Sequence, residues 1–386
     1  MGVVAILGAQ WGDEGKGKIA QILSEGMSVC ARPQGGANAG HTVYNGNRDK
    51  IVFRSVPTGI LSADNAVIGN GCAFNLKILM DEIQYLESNG VDVKSKLLIS
   101  SNAHIILDEH LDRDRGTISQ RIGTTKMGIG PCYADKIARS GVRIGDAYND
   151  CLLKPLADSD KILRDKFYHE YSTLLVDTGL FLRARLSANQ TIISEGAQGR
   201  MLDIDHGDYP FVTSTNTTVG GVISGLGVPA SAIEDVYLVA SIYMTKVGNG
   251  PFSSKFEGND ATLIQNAGEE VDGATNLLRD IGWLDLDALK TSVEINGATG
   301  IILTRLDVVS LLGFVKFVKG GKPEIVAKWS ERDVKNITQE LPVVFEPILN
   351  EVEEYCGCPV VAVSTGKYQE EVIDLQGVFN SNRHSQ

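Results

Sequence analysis

The sequence is short of positive charge. Its 36 Lys and Arg residues face 48 Asp and Glu, a formal net charge of −12 over 386 residues. That balance excludes nucleic acid as a generic partner, because a phosphate backbone demands a basic face; a local basic cleft is still allowed. Long apolar runs are missing as well, and none approaches the roughly 18 residues needed to cross a bilayer. The first residues lack a basic cluster and run straight into a strand-and-loop pattern, so no signal peptide is expected there. The six cysteines (Cys30, Cys72, Cys132, Cys151, Cys356 and Cys358) form no CxxC pair. Scattered thiols of this kind are expected in the core, including the CxC at Cys356 and Cys358, which sits in an apolar, strand-like stretch. Together these absences point to a reduced, cytoplasmic location. Linkers of low complexity, repeats and long charge blocks are absent too.

What remains is ordinary globular composition, 43% hydrophobic and 22% charged. Strand-length apolar runs recur between helical patterns: VVAILG, NAVIGN, KLLISS, TIISEG, DVYLVASIYM, TGIILTRLDV, KPEIVAKW and CPVVAVSTG. Most are continuous rather than alternating, as strands buried on both faces of a mostly parallel sheet must be. AFNLKILMDEIQYLESNG carries helical spacing and closes on Asn-Gly, a helix stop. One α/β domain spanning residues 1–386 is expected, with two separate domains as the alternative. Glycine-rich segments at strand ends are where such sheets place ligands.

The first of these, GAQWGDEGKGKI, reads strand, loop, helix. Gly12, Gly17 and Lys18 have the spacing of a Walker-type phosphate loop, yet Ile19 stands where that loop carries Ser or Thr for magnesium. Backbone N–H groups and the helix start can still cradle an anion, with Lys16 and Lys18 adding charge. Asp13, a hard oxygen donor, can replace the missing hydroxyl as magnesium ligand. A second loop, QGGANAGHTVYN, gathers Asn38, His41 and Thr42 among glycines, and a histidine there can donate a proton to a phosphate oxygen. A third, IGTTKMGIGPCYADKIARSGVRIGD, offers Thr124 and Thr125 for a second phosphate, followed by Arg139 and Arg143 on a short helix. A fourth, SEGAQGRMLDIDHGDYPFVTSTNTT, supplies Gln198, Asn216 and the hydroxyls of Thr213 to Thr218. Its Asp203, Asp205, His206 and Asp208 look like a metal cluster, but an alternating, strand-like pattern divides their directions, which favours plain loop structure. In LTRLDVVS, Asp307 can accept from the N1–H and amino group of a guanine, and VSTGK can close over the same base.

Taken in order, these segments resemble the adenylosuccinate synthetase family over nearly the full length. The resemblance rests on GAQWGDEGKGKI, NAGHT, the IGTT–GIGP–Y–DK–AR series, the EGAQG–LDIDHG–YPFVTS–NTT series and LT–LDV. It implies a large mostly parallel α/β sheet flanked by helices, with a P-loop-like GTP-binding ligase fold. The implied chemistry is GTP-dependent phosphorylation of the 6-oxygen of IMP, followed by displacement of that phosphate by the amine of L-aspartate. On this resemblance Asp13 takes the proton from purine N1 and binds Mg2+ together with the Gly40 carbonyl. His41 is the general acid, and Lys16 and Gln198 complete the catalytic set. Gly12, Glu14, Gly15, Gly17, Lys18, Thr42, Arg279, Arg305, Asp307, Ser364 and Gly366 are implied for GTP. Asn38, Ala39, Thr125, Thr213 and Thr275 are implied for the other substrates, with Arg139 reaching IMP across a homodimer interface.

One region departs from the family pattern. GATNLLRDIGW, Gly273 to Trp283, is one residue shorter than the family's amino-acid loop, and Leu277 stands where an arginine grips the aspartate carboxylate. Losing such a guanidinium costs about 2–5 kcal/mol if nothing replaces it. Smaller departures are Ala37 before NAGH, Arg305 for a lysine and Lys367 for a proline. Three readings stay open at this point: ligation of aspartate to IMP, the same chemistry on dGMP or with another amino acid, and a nucleotide-binding homologue without turnover. Retention of Asp13, where the dGMP-using relatives carry Ser, favours IMP.

Overall fold

The computed structural model describes residues 1–148, 155–271, 278–335, 337–338 and 340–379. Strand Val3–Gly8 lies mid-sheet, and its packing shows why the apolar runs are continuous. Val3, Ala5 and Leu7 enter one apolar cluster, while Val4 and Ile6 enter another on the opposite face. Strand Ile233–Ser241 divides in the same way, with Leu238 and Ala240 on one face and Tyr237 and Val239 on the other. Neither face meets water, so polar residues are excluded from both. Helices cover the two faces. Ile19, Ala20 and Leu23 of helix Lys16–Leu23 pack with Val4 and Ile6, whereas Val222 of helix Val219–Leu226 and Leu289 of helix Leu286–Asn296 pack with Val3 and Leu7.

Among the described residues the central sheet has eleven strands. From one edge the order is Val372–Asp374, Val360–Ser364, Gly300–Thr304, Ile233–Ser241, Val3–Gly8, Ile192–Glu195, Val29–Gly35, Asn65–Phe74, Leu97–Ser100 and Leu175–Val176, with His104–Ile105 beside Asn65–Phe74. Only the edge strand Val372–Asp374 pairs antiparallel. Parallel strands end on the same side, so Gly8, Gly35, Glu195, Ser241, Thr304 and Ser364 all deliver their following loops to one edge of the sheet.

The elements follow the sequence with three corrections. DVYLVASIYM is two strands, because the chain leaves the central sheet after Ser241 and Tyr243–Lys246 pairs antiparallel with Asp280–Asp285 in a smaller sheet. TGIILTRLDV is a strand only to Thr304; Arg305 takes a left-handed conformation and a short helix, Leu306–Ser310, follows. KPEIVAKW lies on the edge of the smaller sheet as Lys322–Lys328, antiparallel and largely exposed. Its apolar run is too short to distinguish such an edge from a buried strand. Helix Leu76–Ser88 starts where Asn75 Oδ1 accepts from the Ile78 N–H at 3.1 Å and stops before Gly90, as its Asn-Gly indicates.

Beyond Gly8 the ladder between the first strand and Ile233–Ser241 is continued by a side chain. Gln10 Nε2 donates to the Ser241 carbonyl at 2.9 Å, and its Oε1 accepts from the Ser241 N–H at 3.1 Å. The amide thus mimics a peptide unit and fixes where the glycine-rich loop leaves the sheet. Gln10 is buried, so Gln10→Ala strands two backbone groups. It is expected to lower stability by about 1–3 kcal/mol, read from the urea midpoint.

Candidate active site

Within the loop after Gly8 the two acids point in opposite senses. Glu14 is wholly buried: its Oε1 accepts from the N–H groups of Gln10 (3.0 Å) and Gly12 (2.9 Å), and its Oε2 pairs with Lys16. It braces the loop from inside. Asp13 faces outward in a left-handed conformation, φ 64°, between Gly12 at 99° and Glu14, with Gly15 again positive at 95°. Such a succession turns backbone N–H groups toward one concavity, an anion-binding geometry. Helix Lys16–Leu23 starts there with no side chain capping its first turn, which adds the positive end of the helix dipole. Thr304 Oγ1 donates to the Glu14 carbonyl at 2.8 Å and ties in a second strand end.

His41 lies directly against this helix. A Cβ on Gly17 would sit 2.8 Å from His41 Cβ, so glycine at 17 is what admits the imidazole. The His41 side chain is 10% exposed, and its Nδ1 pairs with Glu195, the last residue of strand Ile192–Glu195. Burial pushes the Glu195 carboxyl up, but His41, Arg32 and Thr58 outweigh it and hold it below the usual carboxylate range. For His41 burial prevails over the favourable pull of Glu195, leaving the imidazole below its ordinary value.

Gln198 follows on the next loop, with φ 57°. It crowds Gly35, where a Cβ would approach Ala197 Cβ to 2.9 Å and Gln198 Oε1 to 3.3 Å. Gln198 Oε1 and Asn38 Oδ1 are buried with no hydrogen-bond partner among the described residues. Two unmatched amide acceptors at neighbouring strand ends suit a ligand that donates. Ala39 is buried in the same turn, Gly40 is exposed, and Thr42 is exposed on the hairpin strand His41–Tyr44.

A second cluster closes over Asp13. Arg279 donates to Asp13 Oδ2 at 3.0 Å and to Glu270 Oε2 at 2.9 Å. Arg305 pairs with Glu270 Oε1 and donates to the Asp13 carbonyl oxygen at 2.9 Å and to the Tyr243 hydroxyl at 3.0 Å. Glu270 is wholly buried, and it also accepts from Tyr243. On the far side of the helix, Lys18 Nζ donates to Ser364 Oγ (2.6 Å), the Gly366 carbonyl (2.8 Å) and the Tyr368 carbonyl (3.2 Å). Burial lowers the Lys18 ammonium to about 8 against the pull of Asp307, Glu371 and Glu370, and burial raises Asp307.

The third and fourth segments also meet. Gly130, at the start of helix Ile129–Ala138, lies against the Ser214 hydroxyl, and Thr213 N–H donates to the Leu202 carbonyl at 2.8 Å. Thr125 and Thr213 are half-buried. Arg139 follows that helix in a left-handed conformation, exposed, with no side-chain partner among the described residues; Arg143 lies beyond the helix, not on it. Thr275 and Leu277 fall outside the described residues. The aspartates of LDIDHGD sit in turns rather than a strand, so loop structure holds for another reason than alternation. Asp203 is a brace, accepting from Asp205, His206, Thr217 and Thr218 N–H groups, while Asp205 engages Asn216 and Asp208 engages Trp11. The five described cysteines are free and buried, as expected of core thiols.

Sequence reasoning missed Glu195, Glu270, Thr58 and Arg32. Glu195 had a signal, an acid ending a buried apolar strand before a glycine. Thr58 has none, because its partner Glu195 is 137 residues away, and Glu270 has none, because two of its three partners, Tyr243 and Arg305, lie on other segments.

A family model described as adenylosuccinate synthetase matches residues 5–322. The adenylosuccinate synthetase of Xanthomonas campestris pv. campestris (strain B100) is 38% identical over 427 residues, covering 97% of this chain and 99% of that one. The structure of fully ligated adenylosuccinate synthetase from Plasmodium falciparum is similar with a TM-score of 0.87 at 35% identity, covering 97% of this chain and 100% of the other. A cyanophage S-2L succinoaminodeoxyadenylate synthetase bound to dGMP and dATP shares the fold, with a TM-score of 0.71 at 22% identity over 99% of each chain.

Lys18 makes the site sensitive to pH. Its folded pKa lies below the unfolded value, so between about pH 8 and 10.5 the unfolded chain holds more protons and stability rises with pH. The stability of the protein relative to a Lys18→Met variant is expected to increase by about 2 kcal/mol from pH 7.5 to 9.5 in urea titrations. A flat difference would mean that Lys18 keeps its proton throughout.

Proposed function

The chain belongs to the adenylosuccinate synthetase family, and we propose that it joins L-aspartate to IMP at the expense of GTP, giving adenylosuccinate, GDP and phosphate. The observation that carries this reading is the convergence on one sheet edge of an anion-cradling loop, an outward acid within it and a buried imidazole beside it. Asp13 removes the proton from purine N1, and the electron pair moves to O6, which attacks the γ-phosphorus of GTP as the bond to the β–γ bridging oxygen breaks. His41 and Lys16 oppose the charge that develops on the moving phosphoryl group, His41 by a proton and Lys16 by its ammonium. The aspartate amine then attacks C6, the C6–O6 bond breaks, and phosphate leaves carrying O6 and the proton that the amine gives up.

Gly12, Gly15, Gly17 and Lys18 lie on the side of the phosphates in this reading, with Asp307, Ser364 and Gly366 around the guanine and Arg279 and Arg305 above Asp13. Glu14 acts through the loop it braces. Asn38, Ala39, Thr125, Gln198 and Thr213 face IMP. Magnesium belongs to the same proposal: the Asp13 carboxylate and the exposed Gly40 carbonyl are hard oxygen donors of the kind that ion takes. When bound, it offsets charge on the phosphates. A homodimer in which Arg139 reaches the partner's IMP fits its exposed guanidinium, unpartnered among the described residues, and nearby Ile137, which is 79% exposed. A cytoplasmic location fits the free, buried thiols, and no helix among the described residues is long and apolar enough to cross a membrane.

Leu277 carries a second reading, the same phosphoryl chemistry with a different amine. An assay with GTP, magnesium and IMP, with and without aspartate, separates the two. Aspartate-dependent adenylosuccinate, identified by mass, supports the first. Consumption of GTP that needs IMP but yields no adenylosuccinate supports the second, and no turnover at all overturns both.

Two variants sharpen the roles. Asp13→Ala is expected to lower kcat by about 10²–10⁴-fold while GTP binding changes little, as removal of a general base does. Arg139→Leu is expected to raise the KM for IMP without unfolding the protein. Mixing it with Asp13→Ala is expected to restore part of the activity, since a hybrid dimer contains one intact site. No recovery in the mixture counts against a shared site.

A further inference from the structure

Resting on the ligase reading above, we propose that Glu195 is a positioning residue for His41, holding the imidazole by Nδ1 so that Nε2 is the atom presented to the transferring phosphoryl group.

Four observations carry it. Sheet order comes first: strand Ile192–Glu195 lies between Val3–Gly8 and Val29–Gly35, so its last side chain emerges between the two loops that hold Lys16 and His41. Second, Glu195 has no solvent exposure, and both of its oxygens are engaged. Oε1 takes His41 Nδ1, while Oε2 accepts from the Thr58 N–H at 2.7 Å and lies 2.8 Å from Thr58 Oγ1 and 3.8 Å from Cys30 Sγ. A carboxylate anchored on both oxygens cannot turn, and the ring it holds cannot turn either. Third, Thr58 Oγ1 also lies 2.8 Å from the Gly17 carbonyl, closing a circuit from the phosphate loop through Thr58 and Glu195 to His41. The imidazole is therefore referenced to the loop it serves.

Charge is the fourth. The groups that face His41 are Glu195, Arg32 and Lys16. Arg32 is wholly buried; Nη1 donates to the Arg54 carbonyl at 2.5 Å, and Nε and Nη2 have no partner among the described residues. Its positive charge favours the ionised form of Glu195. Burial pushes the neighbouring Cys30 thiol far up, so it stays neutral and adds no second anion. An anionic Glu195 accepts the Nδ1 proton, which leaves Nε2 free to take up a proton and give it to a phosphoryl oxygen. Nε2 itself has no hydrogen-bond partner among the described residues. Had Glu195 been only a satisfied core acid, its charge would not matter to turnover.

The test is the split between kcat and KM for Glu195→Gln. The amide keeps an oxygen for Nδ1–H but loses the negative charge. Turnover is expected to fall about 10- to 100-fold with the KM values for GTP and IMP little changed. A His41→Gln, Glu195→Gln double variant is expected to be no slower than His41→Gln alone, because Glu195 acts through the ring. Unchanged turnover in Glu195→Gln, or a double variant slowed multiplicatively, overturns the proposal. Imidazole 15N shifts of the unaltered protein decide independently of folding or activity: a proton on Nδ1 is expected, and a neutral ring protonated on Nε2 overturns it. A native enzyme without ligase turnover, yet with Nδ1 protonated, would instead sink the functional reading and leave this geometry standing.

Discussion

A carboxylate removed from water must be given an equivalent set of donors, and four carboxylates around the site, Glu14, Asp203, Glu195 and Glu270, have no solvent exposure at all. Each finds its donors in the loops around it. Glu14 takes two N–H groups and Lys16 from its own loop. Asp203 takes four N–H groups from the turn after it and from the threonine segment that returns past it. Glu195 takes His41 and Thr58, and Glu270 takes Tyr243, Arg279 and Arg305. Removing any one donor leaves a buried anion short of partners, so these loops are held with a stringency that apolar packing does not supply.

The same loops carry backbone strain. Eight described residues other than glycine have positive φ, and four of them are residues that sequence reasoning nominated: Asp13, Arg139, Gln198 and Arg305. A left-handed conformation costs on the order of 1–3 kcal/mol for such a residue and persists only where its surroundings enforce it. For Asp13 and Arg305 the enforcement is visible, since Arg305 donates to the Asp13 carbonyl and is itself paired with Glu270. Glu270 thereby holds Arg305, and through it Asp13, in place. Stability and chemistry are coupled through those few contacts.

Much of this was legible beforehand. The continuous run VVAILG is buried on both faces, and the glycine spacing after it makes a loop that opens a helix. The Asn-Gly after the helix Leu76–Ser88 ends it. Less was legible where one run served two sheets, as in DVYLVASIYM, or where an edge strand looked like a central one, as in KPEIVAKW. LDIDHGD forms loop structure, but its aspartates diverge because Asp203 turns inward to backbone N–H groups, not because a strand alternates them.

Short-range pattern therefore determined the strands, the loops and the residue types available for chemistry, because periodicity and turn preference act over a few residues. Only the tertiary structure decided which of them meet. Lys18 finds Ser364 across 346 residues, and His41 finds Glu195 across 154. Asp13 is covered by Arg279 because the smaller sheet folds back over the first loop. Those pairings depend on strand order, and strand order is a property of the whole sheet: no local segment carries it, since any parallel arrangement would satisfy the same hydrophobic runs.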